Sequence, residues 1–103
     1  PSDVYKRQLH NLGFVAIAEG EFAEARTYLD LAIALREANG DTAGVAYSWW
    51  MLARALRFEE DLAGARRRLD DALATFREVG DRMGEAFVVA EMGRLAIQEG
   101  NDG

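Results

Sequence analysis

Few residues in this sequence could do chemistry, and their spacing limits what each can do. His10 is the only histidine, and no carboxylate pair stands beside it at a metal-ligand spacing. It reads as a polar surface or groove residue on a helix rather than a ligand or a catalytic base. Ser2 and Ser48 are the only serines, and the sequence sets no partner base beside either. Glu59-Glu60-Asp61 is a tight acidic cluster with the hard oxygen ligands that calcium takes. It falls where two helices should turn, so the reading is a solvated turn in which Asp61 caps the next helix. The glycines form no phosphate-cradling loop. Arg66-Arg67-Arg68 is the only basic run, and Arg66 with Asp70 and Arg67 with Asp71 stand one helical turn apart. Local pairs at that spacing take up two of the three charges, leaving a solvated face. The absence of cysteine removes disulfides, thiolate metal sites and a cysteine nucleophile. Nothing here supports catalysis, and no cofactor or metal is expected.

Composition narrows the class further. With 103 residues the chain builds one domain at most, around a modest core. The formal net charge is −6, whereas a nucleic-acid binder normally presents a basic surface, so no direct nucleic-acid partner is expected. No apolar run approaches the roughly 20 residues that span a bilayer, and no signal-peptide pattern opens the chain. A cytoplasmic setting is the expectation, to which the lack of cysteine contributes weakly. Residues 1–8 differ from the rest. They hold the only proline, Pro1, and the only lysine, Lys6, while every later basic residue except His10 is arginine. Asp3-Val4-Tyr5-Lys6-Arg7-Gln8 resembles the translation of a transposon-end adaptor used in shotgun sequencing, so residues 1–8 read as a non-native, structurally expendable leader. The arginine-, alanine- and glycine-rich remainder suggests a GC-rich bacterial source.

Positioning any site falls to a repeat. At an offset of 40 the chain aligns on itself without gaps. Leu12-Gly13 falls on Leu52-Ala53 and Met92-Gly93, and Glu19 on Glu59 and Glu99. Ala23, Ala25, Arg26, Leu29, Asp30, Ala32 and Ala34 recur as Ala63, Ala65, Arg66, Leu69, Asp70, Ala72 and Ala74. Gly40-Asp41 recurs as Gly80-Asp81. A period of this length marks stacked supersecondary units, a solenoid.

Each unit reads as two helices. The middle unit gives Thr42 to Phe58, capped by Asp41 after the left-handed turn that Gly40 suits, and Leu62 to Val79, started by Asp61 and ended by Gly80. Val45, Trp49, Leu52, Ala53 and Leu56 form one apolar stripe, and Leu62, Ala65, Leu69, Ala72, Leu73 and Phe76 the other. Unit one has a first helix ending near Glu19 and a second from Phe22 to Ala38; unit three supplies Arg82 to Glu99. The expected fold is all-α: an α-solenoid of antiparallel helix hairpins, five helices in about two and a half repeats. Its units are 9–40, 41–80 and 81–101, the last cut short, with a tail at 102–103.

At Leu12-Gly13, Gly20-Glu21-Phe22, Ala25, Leu29 and Ala32 the chain resembles the tetratricopeptide repeat. Trp49, Leu52, Ala53, Leu62, Ala65, Leu69 and Ala72 hold the same places in unit two, and Val89, Met92, Gly93 and Gly100 begin unit three. Helices crossing at 8 to 10 Å need small side chains at the crossing, which Gly13, Ala53, Ala25 and Ala65 provide while Leu29, Leu69 and Trp49 fill the gaps around them. The period of 40 exceeds the usual 34, and Gly-Asp replaces the proline that commonly ends the second helix. This longer form looks like the arrays of bacterial signalling ATPases and transcriptional activators, and of eukaryotic polarity scaffolds.

The resemblance implies that the first helix of each hairpin lines a concave, peptide-binding groove. By alignment, unit one contributes His10, Phe14 and Ile17. Unit two contributes Tyr47, Trp50, Arg54, Arg57 and Phe58, and unit three Phe87, Ala90, Arg94 and Ile97. Arg54 and Arg94 stand one repeat apart, and aromatic rings beside arginines are enriched at binding hot spots. For Trp50 the alternative is packing on a neighbouring helix. The family's carboxylate clamp of lysines and asparagines is absent; its places hold His10, Phe14, Met51, Phe87 and Glu91. The expected function is therefore a protein–protein interaction module binding a protein or peptide, with an acidic segment favoured. The alternatives are a sensor or hinge array of a larger bacterial regulator or signalling ATPase, and the positioning array of a multidomain enzyme. The last helix, lacking its hairpin partner, should expose Val89, Met92 and Ala96 and favour self-association.

Overall fold

The computed structural model describes the backbone of residues 2–102 and the side chains of residues 4–100. Five helices follow one another: α1 (Ser2–Ala18), α2 (Phe22–Ala38), α3 (Thr42–Phe58), α4 (Leu62–Val79) and α5 (Arg82–Asp102). The starts of α2 and α4, and of α3 and α5, are each 40 residues apart, as the repeat requires. Side-chain caps set the starts of α3, α4 and α5, whereas Glu21 before α2 makes no such bond. The carboxylates of Asp41, Asp61 and Asp81 accept hydrogen bonds from the backbone N–H groups of Gly44, Gly64 and Gly84, at 3.0, 3.0 and 2.9 Å. Gly80 closes α4 in the left-handed conformation, φ 75°, and the Asp81 N–H donates back to the Phe76 carbonyl at 2.9 Å.

Each helix packs on the one before it in sequence, and the first helices also meet one another, α1 on α3 and α3 on α5. Close approach is possible because the crossings are built of Ala25, Ala32, Ala46, Ala53, Ala65 and Ala72, all fully buried. At Gly13 a Cβ would lie 2.8 Å from Leu29 Cγ, so α1 has room for Leu29 only because residue 13 has no side chain. Two apolar clusters result. One joins α1, α2 and α3 around Leu29, Met51 and Leu52; the other joins α3, α4 and α5 around Leu69, Phe76, Val88 and Leu95. Trp50 and Leu56 pack against both.

Three expectations change. Residues 2–8 continue α1 without a break, and Lys6 is buried, so the leader segment is not structurally separate from the first helix. Second, α5 does not stop at Glu99 but runs through Gly100 to Asp102. The matching positions Gly20 and Glu60 are left-handed turns, φ 78° and 66°, from which α2 and α4 fold back; no described helix folds back on α5. Third, Val89 and Ala96 are exposed as expected, but Met92 is half-buried against the second cluster.

Candidate functional site

The aligned groove residues divide into three groups. Phe14, Phe87, Ala90, Arg94 and Ile97 are exposed on the first helices. Ile17 is not available: it is buried in the first cluster, beside Met51 and Ala16, because α1 turns that face towards α3. The remainder are held by neighbours and, except for Phe58, partly buried. The Tyr47 hydroxyl donates to Asp81 at 2.9 Å while its ring meets Phe76 and Phe87 edge-on. Burial, then that hydrogen bond, raises the Tyr47 pKa. Trp50 stacks on Phe87, centroids 5.2 Å apart, and is a wedge between the two clusters rather than a free groove side chain. Phe58 is exposed at one edge but stacks on Phe22, also at 5.2 Å, with the Arg57 guanidinium 4.5 Å above its ring.

The arginines meet at Glu91, a residue outside the aligned groove set. Glu91 is fully buried, and three guanidinium groups converge on its carboxylate. Arg57 Nε donates to Oε2 at 2.6 Å, and Arg94 Nη1 donates to Oε1 at 3.1 Å. Arg54 Nε stands 3.6 Å from Oε1. Gln98 braces the group, accepting from Arg57 Nη1 at 3.3 Å and donating to the Arg57 carbonyl at 3.1 Å. Glu91 occupies the place Met51 holds one unit earlier, so a charge where the repeat has a core methionine was the available signal.

His10 lies in a different setting. Its Nδ1 is 3.5 Å from the hydroxyl of fully buried Ser48, so the fold brings together a histidine and a serine that are far apart in sequence. Arg36 Nη1 donates to that same hydroxyl at 3.0 Å and to the Gly44 carbonyl at 2.7 Å. Ser48 is therefore sealed from solvent and engaged by a cation, which suits a polar link between α1, α2 and α3 and not a nucleophile. Burial, with Arg36 adding to it, pushes the His10 pKa down to about 4, and burial likewise lowers that of Arg36, with Asp41 opposing.

The basic run also departs from expectation. Arg66 reaches Glu99 of the next unit instead of pairing locally with Asp70, and its pKa is raised chiefly by that bond. Nor do Arg67 and Asp71 form an ion pair. One unit earlier, Arg26 makes the same reach to Glu59, 2.6 Å from Nε to Oε1 and 3.1 Å from Nη2 to Oε2. Both partners recur at the offset of 40, the signal by which these cross-unit pairs were readable. In the Glu59-Glu60-Asp61 turn, Glu59 takes Arg26 and Asp61 takes the cap, and the described residues contain no group of three ligands able to hold a metal. No described helix is long and apolar enough to cross a membrane.

Residues 7–100 match the tetratricopeptide repeat family. The chain belongs to that family. No curated protein matches it. Tetratricopeptide repeats generally mediate protein–protein interaction and are typically non-catalytic. The helix hairpins, the small residues at their crossings and the continuous row of α1, α3 and α5 are that architecture in this chain.

Proposed function

We propose that this tetratricopeptide array takes an acidic peptide segment, or the acidic surface of a neighbouring domain, along the row of α1, α3 and α5. The observation that carries the reading is the Arg54–Arg94 pair. Glu91 neutralises one of the three arginines gathered on it, and the Arg94 side chain is still 57% exposed. Exposed Phe14 and Phe87 supply apolar area on the same row. Arginine forks pair with carboxylates and aromatic rings contribute buried surface, the usual division of labour at a hot spot.

Titrating the protein with acidic peptides while following the fluorescence of Trp49 and Trp50 together tests this. Arg94→Ala should weaken binding about tenfold, the effect of losing about 1.4 kcal/mol from one charge-assisted contact. Stability should change by less than about 1 kcal/mol, because the Arg94 side chain is largely exposed and Arg57 stays paired with Glu91 when it is removed. Undiminished binding by that variant would remove the groove reading. Exposed Val89 and Ala96 on α5 also support self-association, to be read from the molar mass over a concentration series.

A further inference from the structure

The cluster on Glu91 is unbalanced in charge and in hydrogen bonding. Three arginines face one carboxylate, a net charge of about +2 by that count, and Glu91 is the sole carboxylate within 4.0 Å of any of them among the described residues. Arg57 is fully engaged, on Glu91, Gln98 and the Phe58 ring. Arg54 and Arg94 are not. Both approach the same oxygen, Oε1, so their guanidinium groups lie close to one point. At 3.6 Å the Arg54 contact is too long for a hydrogen bond, and the buried Nε–H of Arg54 has no acceptor. Beside it, the indole N–H of Trp50 is also buried without one. The described neighbourhood has surplus donors, surplus positive charge and too few acceptors, and Arg94 opens it to solvent.

A single carboxylate from a ligand would answer half of that surplus. A phosphate group near pH 7 carries about −1.5 to −2 and three acceptor oxygens. Two guanidinium forks that already converge on one oxygen are also placed to share one tetrahedral anion. We propose that Arg54 and Arg94 form a subsite for a dianionic phosphate group, carried by a side chain of a bound peptide or by a small phosphate ester. The inference deepens the groove reading but rests on it only for the first of those two sources.

The test starts with inorganic phosphate. Titrations against acetate, with ionic strength held constant by chloride, should give a dissociation constant at least tenfold lower for phosphate. Arg94→Ala, at an exposed position, should erase that preference. Glu91→Gln removes the competing negative charge and should tighten phosphate binding, the opposite direction from a merely structural defect. Equal affinity for phosphate and acetate overturns the proposal, as does an Arg94→Ala protein that keeps the preference. So does a helical Glu91→Gln protein that binds no tighter; if Glu91→Gln does not fold, acetate and Arg94→Ala decide. A phosphoserine peptide is then compared with its unphosphorylated form. Phosphate-dependent binding tighter than that of inorganic phosphate supports the peptide source. Binding of inorganic phosphate with neither peptide retained leaves the oxyanion subsite standing and removes the peptide groove.

Discussion

The two junctions between units occupy equivalent places in the fold and are built from opposite chemistry. Where unit one meets α3, the slot beside Gly44 takes Arg36, which reaches Ser48 and, through it, His10; the neighbouring core position is Met51. Forty residues on, the slot beside Gly84 takes Phe76, whose ring would lie 2.5 Å from any Cβ there, and Val88 and Trp50 replace Ser48 and His10. Met51 becomes Glu91, with its three arginines. Each junction thus contains one polar knot, and the knots sit at different levels. The small residues at the crossings and the Arg26–Glu59 and Arg66–Glu99 pairs repeat, and they make the units stackable. The knots do not repeat, and they make each unit fit one neighbour. Exchanging the order of units would set Glu91 or Arg36 against an apolar wall, at the cost of a buried unpaired charge.

Four experiments break or sharpen that contrast. Glu91→Met, which gives the second junction the residue of the first, should have the largest effect. It strands Arg57 and Arg54, and loss of one partner from a buried ionic group costs about 3 to 5 kcal/mol, measurable by urea denaturation. Trp50→Ala follows, at about 3 kcal/mol, because the indole packs against both clusters and stacks on Phe87. A cost below about 1 kcal/mol would return Trp50 to the groove.

The first junction should show its knot as a pH dependence. His10 titrates at about 4 in the fold against 6.5 unfolded, so between those values the unfolded chain binds the proton and the folded one does not. Stability should therefore fall as pH drops from 6.5 towards 4, by about 1 to 2 kcal/mol at this half-buried site. His10→Gln should flatten the slope, and a variant with the wild-type slope would assign the dependence elsewhere. Smallest is the repeated pair: Arg26→Ala and Arg66→Ala should each cost under about 1 kcal/mol, by similar amounts, and less still in high salt.

The sequence made the stackable part legible and the knots much less so. Alanines at the crossings, Asp41 and Asp61 as caps and glycine turns are local or periodic signals, and helix bounds read from them for α2, α3 and α4 agree with the structure. Glu91, Arg36 and Ser48 carry no such signal, because their roles depend on partners reached from other helices, 8 to 38 residues away. Ile17 and Trp50 were placed in the groove by alignment. The faces they share with Arg57 and His10 are tilted into the junctions, an angle that a one-dimensional repeat does not encode. Lys6 was set apart by composition, yet helix continuity and burial place it within α1.

The Glu60 corner shows how the stack overrides a local preference. Glycine adopts a left-handed turn with little steric cost and glutamate does so with more. Unit one has Gly20 at this corner, φ 78°, and unit two holds Glu60 in the same conformation, φ 66°. The packing of α4 on α3, and the bond that the Asp61 N–H donates to the Leu56 carbonyl at 2.9 Å, keep the corner closed against that cost. Glu60 is thus a small reservoir of strain that the interlocked helices keep loaded, and replacing it with glycine should raise stability by about 1 kcal/mol.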